Sequence, residues 1–142
     1  METIEELVKQ VLEQGYVMSL ATLDHQGLWV ADVMYVHDDH LNVYWISKTS
    51  TRHSQAIQRC RVVAGSITLS QQPKDPDKGL QFSGLAEQLK NDSSEITARY
   101  CQKTGKEHFS LNTDEAWYQL TPTKMELIYE PYFGFEKRIV EF

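Results

Sequence analysis

The 142-residue chain carries a formal net charge of −6, and 41 % of its residues are hydrophobic and 11 % aromatic. That length suits one domain, residues 1–142, burying about two thirds of its unfolded surface; the acidic balance excludes a duplex-binding protein, which needs a broad basic face. Cys60 and Cys101 match no metal or redox spacing, the first residues are acidic, and no apolar run approaches spanning length, so a soluble, cytoplasmic protein without a membrane partner is expected.

In chain order, Thr3 followed by Glu6 forms a capping box, and Ile4, Leu7, Val8, Val11 and Leu12 recur at helical spacing. These predict a helix over 3–14 that Gly15 ends in the left-handed conformation. Residues 16–23 and 28–36 read as a hairpin around Asp24-His25-Gln26-Gly27. The turn His37-Asp38-Asp39-His40 leads into a third strand over 41–47. Adjacent ligands in so tight a turn cannot converge on one ion, so it is read as a solvated turn and no metal is assigned. A short helix over 52–59 precedes a Val/Ile-rich strand over 61–69 and an exposed Pro-containing loop over 70–78. A strand over 79–89 and a helix over 92–103, capped by Asp92, follow. Residues 116–120 and 124–129 flank Thr121-Pro122-Thr123 as the closing strand or strands. The tail, 130–142, holds Tyr132, Phe133, Phe135 and Phe142 and is expected to pack on the body or on a partner subunit. The whole is mainly β with flanking helices: a six-stranded antiparallel barrel, since closure removes the exposed edges of such a meander. Neither a Rossmann glycine pattern nor a phosphate-binding Walker loop is present.

The segment 47–54 carries the chemistry. Ser47, Thr49, Ser50, Thr51 and Ser54 supply hydroxyls, Lys48 and Arg52 fixed cations, and His53 an imidazole, where a strand gives way to a helix. No acidic residue occurs between Asp39 and Asp75. Hydroxyls and helix-opening N–H groups can fix phosphate oxygens while Lys and Arg supply charge, so this stretch is the candidate anion site; the plain alternative is an N-capped helix on a solvated basic face. Trp29, Trp45 and Trp117 sit at strand spacing that suits core packing better than ligand stacking. No Ser/His/Asp or Cys/His arrangement is visible, so no catalytic residue is assigned.

The order Tyr44-Trp45-Ile46-Ser47, then Thr51-Arg52-His53, then Gln81-Phe82-Ser83-Gly84 and the late Leu120-Thr121-Pro122-Thr123-Lys124 resembles the FMN-binding split barrels related to pyridoxamine 5′-phosphate oxidase. The likeness runs from about residue 5 to 130 and looks closest to a short, uncharacterised bacterial branch. It implies a homodimer with FMN in a cleft between subunits. Thr51, Arg52 and His53 stand where the family's Ser-Arg-Lys triplet binds the flavin phosphate, with Lys48 and Ser50 able to add donors. Ile46 and Ser47 match positions along the ring or ribityl chain, Met34 lies on the strand usually beside the isoalloxazine, and Gln81 is two residues from the family's flavin-reaching Gln. The tail offers Lys137-Arg138-Ile139 and lacks the histidine of the oxidase's substrate-binding Arg-x-His pair. The implied function is a small FMN-dependent oxidoreductase, with a non-catalytic flavin or other small-anion binder as the alternative and a deazaflavin as a further option.

Overall fold

The structure is a computed structural model describing residues 2–142, so Met1 lies outside the described residues. Helix α1 (Ile4–Gln14) opens on the expected capping box: the Glu6 N–H donates to Thr3 Oγ1 at 3.1 Å and the Thr3 N–H to the Glu6 carboxylate at 2.9 Å. Its apolar stripe, Leu7, Val8, Val11 and Leu12, is fully buried. Gly15 is not left-handed but extended, at φ −77. The chain runs straight on into the first strand, and what requires glycine is proximity: a Cβ would lie 2.5 Å from the Tyr35 hydroxyl, which donates to the Leu12 carbonyl.

Strands β1 (Val17–Asp24) and β2 (Gly27–His37) form a hairpin from Val17↔Met34 to Asp24↔Gly27, so His25 and Gln26 make the turn and Gly27, at φ +111, uses glycine's freedom. Then follow β3 (Val43–Lys48), α2 (Arg52–Arg59), β4 (Val62–Thr68), β5 (Lys78–Gln88), α3 (Ser94–Thr104), β6 (Glu115–Tyr129), the single turn α4 (Glu130–Phe133) and β7 (Arg138–Val140). The sheet order is β3-β2-β1-β4-β5-β6-β7 and β3 also pairs with β6, closing an antiparallel six-stranded barrel with β7 outside it on β6.

Two further local expectations are corrected. Ser93, not Asp92, caps α3, accepting the Ile96 N–H at 3.3 Å. The two closing segments are one 15-residue strand, β6, that passes through Pro122. Pairing there shifts from Ser83↔Lys124 to Gly84↔Pro122, so Thr123 is the extra residue of a bulge, where a missing N–H is tolerated. The tail is partly strand: β7 pairs Val140 with Met125 and Phe133 packs against the core, while Phe135 stays 74 % exposed.

Inward residues such as Met18, Leu20, Val43, Leu80 and Leu127 fill the barrel around Trp45 and Tyr118, whose rings stack with centroids 5.8 Å apart. A second, smaller cluster lies outside the wall, where Ile96 and the aromatics Tyr100 and Phe109 cover Val36, Tyr44 and Trp117. Trp45 and Trp117 are therefore packing residues, whereas Trp29 is partly exposed.

Candidate functional site

The segment between β3 and α2 sits at one end of the barrel. Thr51 starts α2 as its N-cap, with its Oγ1 accepting the Ser54 N–H at 3.3 Å. From that cap the helix turns His53 and Ser54 inward and Arg52 outward. Ser47 Oγ and His53 Nε2 lie 2.8 Å apart, both buried, and burial holds the His53 imidazole below its ordinary range. His53 is thus a neutral ring joined to the barrel wall and adds no cation to the anion site.

Arg52 is also engaged. Its Nε and Nη2 donate to the two Asp24 carboxylate oxygens at 2.8 and 3.0 Å, and its guanidinium lies 4.4 Å from the Trp29 ring centroid. The Arg52 hydrogen bond above all holds the Asp24 carboxyl below the usual carboxylate range, against a smaller effect of burial. Lys48, exposed, is 3.8 Å from the Asp114 carboxylate. The segment is acid-free only along the chain: the β1–β2 hairpin and the approach to β6 deliver carboxylates to both of its cations. Ser50 is exposed with no such partner.

The remaining candidates lie elsewhere. Met34 faces outward opposite Val17, and Ile46 packs into the outer cluster against the α3 side. Gln81 faces outward on β5, its side-chain oxygen accepting from Lys137 Nζ at 2.8 Å. The loop end of β5 is marked by Gln88, bonded to Gln58 of α2 at 2.8 Å; Gln81 is about 23 Å of strand away from it. Within one chain, Gln81 and the 47–54 segment do not share a site.

Sequence reasoning missed the neighbours that fold onto α2. Arg52, Gln55, Ala56 and Arg59 occupy one helix face, and with Asp24, His25 and Gln26 of the hairpin they line a pocket of about 280 Å³. The helical spacing of Arg52 and Arg59 was a readable signal; the hairpin opposite was not. A second, polar pocket of about 660 Å³ lies between α1 and α3, lined by Glu13, His37, Arg99 and Lys103 among others. There Lys103 donates to the Leu12 carbonyl at 3.3 Å and sits 4.0 Å from the Tyr35 ring centroid, with burial pulling its ammonium down to about 8. In the adjoining turn, Asp38 accepts from the His40 and Asn42 backbone and from the Asn42 and Tyr44 side chains at 2.8–3.0 Å. Among the described residues no group of His, Cys, Asp and Glu is arranged to hold a metal ion, and no helix is long and apolar enough to cross a membrane.

One wall of the barrel is left uncovered. The outward residues of β1, β2, β4 and β5 include Leu28, Val30 and Val62, exposed at 78, 61 and 63 %. Pairing places Leu23 beside Leu28, Ala21 between Val30 and Ala64, and Val62 beside Leu85, a continuous apolar band across four strands.

No family model matches the chain. A UPF0306 protein of Yersinia enterocolitica is 29 % identical over 100 residues, covering 68 % of this chain and 67 % of the relative. Another, from Photorhabdus laumondii, is 27 % identical over 100 residues, covering 69 % and 70 %. Among solved structures, a Listeria innocua protein provisionally named pyridoxamine 5′-phosphate oxidase superposes with a TM-score of 0.72 at 19 % identity, covering 89 % of this chain and 98 % of its own. The heme storage protein HutZ of Vibrio cholerae gives 0.68 at 20 % identity, with 85 % and 91 % covered. The fold is the split barrel of the pyridoxamine 5′-phosphate oxidase-like proteins. A heme-binding protein of Mycobacterium smegmatis shares this split barrel over 99 % of the chain and 59 % of its own length, with a TM-score of 0.76 at 15 % identity.

Proposed function

We propose that this split barrel is a homodimeric, cytoplasmic flavoprotein that binds FMN at a cleft completed by the second copy and works as a small FMN-dependent oxidoreductase. The observation that carries the reading is the Arg52 guanidinium, braced on Trp29 beside a pocket that also holds Arg59. Guanidinium forks match phosphate oxygens, and the exposed Ser50 hydroxyl stands on the same loop. The apolar band from Leu28 to Leu85 supports the dimer, because a second copy would remove that surface from water. Pairing of two barrels also supplies a route by which Gln81 of one copy and the 47–54 segment of another come together. Bound flavin would supply the redox chemistry; the residues described here would bind and orient it.

The fit to a phosphate dianion is partial. Hydroxyls and two guanidiniums suit it, but Asp24 already takes two Arg52 donors and His53 is neutral. That shortfall favours a second reading, a non-catalytic holder of another small ligand with an anionic end. Heme is one such ligand, and heme binding or storage is named for two of the structural neighbours. Visible spectra of the purified protein, taken after mixing with FMN or with hemin and desalting, separate the readings. Retained FMN that a nicotinamide reductant bleaches and air restores supports the oxidoreductase. Retained hemin with no flavin overturns it.

A further inference from the structure

The geometry points to Asp24 as the residue that decides which anion the Arg52 pocket accepts, selecting a singly charged end group such as a carboxylate over a phosphate dianion. This rests on the second reading above, a small ligand with an anionic end other than the FMN phosphate, and takes that pocket as the place where that end lands. Asp24 engages Nε and Nη2 of Arg52, one edge of the guanidinium fork, and occupies the bidentate position an incoming phosphate would take. Both partners are restrained. The Asp24 carboxylate also accepts the Gln26 N–H at 2.9 Å, which ties it to its own turn, and Trp29 supports the guanidinium 4.4 Å from its ring centroid.

The charges facing the pocket are Arg52 and Arg59 from α2 and Asp24 from the hairpin, with His25 at the rim. The two guanidiniums against the one carboxylate leave one net positive charge, which a monoanion balances and a dianion exceeds. A phosphate must either displace Asp24 from Arg52 or sit beside a like charge, and like charges in contact oppose binding strongly. Lys48 brings no relief, since its ammonium faces Asp114.

The test is Asp24→Asn, which keeps size and hydrogen-bonding capacity while deleting the charge, with Asp24→Ser run beside it as a smaller turn-compatible variant. Affinities for FMN, riboflavin and inorganic phosphate are measured by fluorescence titration and by the NMR signals of the arginine side chains. At least about a tenfold gain for FMN and for inorganic phosphate is expected, with riboflavin, which has no phosphate, unchanged. Unchanged or weaker phosphate binding in both variants overturns the assignment, even if flavin binds. A phosphate gain with no flavin bound by parent or variant supports the Asp24 assignment and removes the flavin reading instead.

Discussion

Ser47→Ala distinguishes a structural pair at the barrel's end from an open anion site. The change strips a buried imidazole nitrogen of a partner 2.8 Å away. Leaving a buried polar atom unpaired costs about 1–3 kcal/mol. Thr51 Oγ1, 3.4 Å from the same nitrogen, is a poor substitute that places the expected loss at about 1–1.5 kcal/mol. His53→Ala removes the same bond and also empties the ring's volume, so about 2–3 kcal/mol is expected. The two losses should not add: a double-mutant cycle should return a coupling of about 1 kcal/mol. Urea unfolding followed by tryptophan fluorescence measures all three variants, at one protein concentration because a dimer's midpoint depends on it. The pH dependence gives a second check. His53 is held neutral in the fold while the unfolded chain titrates near 6.5. Its effect on stability is therefore fully favourable above that pH and is lost as pH falls from there toward the lower folded value, because the unfolded state takes up the proton first. His37, also pushed down by burial, acts with the same sign, so His53→Gln should flatten only part of that acid limb. A Ser47→Ala midpoint equal to the parent's, or a His53 NMR titration at or above 6.5, refutes the reasoning.

Three further outcomes are expected. Gly15→Ala should lower stability by about 1–3 kcal/mol, because the added Cβ meets the Tyr35 hydroxyl at 2.5 Å and Ile67 Cγ2 at 2.9 Å; an unshifted thermal melt contradicts this. Asp38→Ala should cost about 2–3 kcal/mol by freeing the four donors that the carboxylate gathers, and should expose Leu41, held at φ 67 in that turn, to strain. Burial opposes ionisation of Asp38, but the Asn42 and Tyr44 hydrogen bonds outweigh it, so its contribution persists above the ordinary carboxylate range and is lost as pH falls through the depressed folded value; an acid limb identical to the parent's counts against it. Leu28→Lys with Val62→Lys should convert the proposed dimer to monomer in light scattering while leaving the circular dichroism unchanged, and a persistent dimer removes the outer wall from the interface.

Much of the barrel was legible because period-two alternation and capping chemistry are local. Thr3 and Glu6 announced α1, the hydroxyl-rich stretch before residues 52–59 announced α2, and the strand-rich runs fell close to β1 through β5. Pro122 misled in the ordinary way: a proline argues for a break, and only the bulge facing Gly84 lets β6 continue. The candidate site was less legible, since its electrostatics depend on distant residues. Arg52 and Asp24 are joined by the folding of the hairpin onto α2, and Lys48 and Asp114 by the pairing of β3 with β6. Nothing in a linear stretch reveals that its free cations have been claimed. Ser47 and His53 were singled out by the polar stretch and by the resemblance, neither of which shows that the alternation of β3 and the cap at Thr51 turn both toward the interior.

The position of β6 in the chain has a consequence for biosynthesis. This strand pairs with β5 along one edge and with β3 along the other, joining residues 43–48 to residues 115–120. On the ribosome, β1 to β5 emerge first as an open sheet whose β3 margin has no partner until residues 115–120 have been made. Contacts of such sequence separation form slowly, and an unpaired strand margin invites association with other chains. A stall or truncation before residue 120 should therefore leave an aggregation-prone half-barrel, whereas trimming β7 beyond it should leave the closed ring intact.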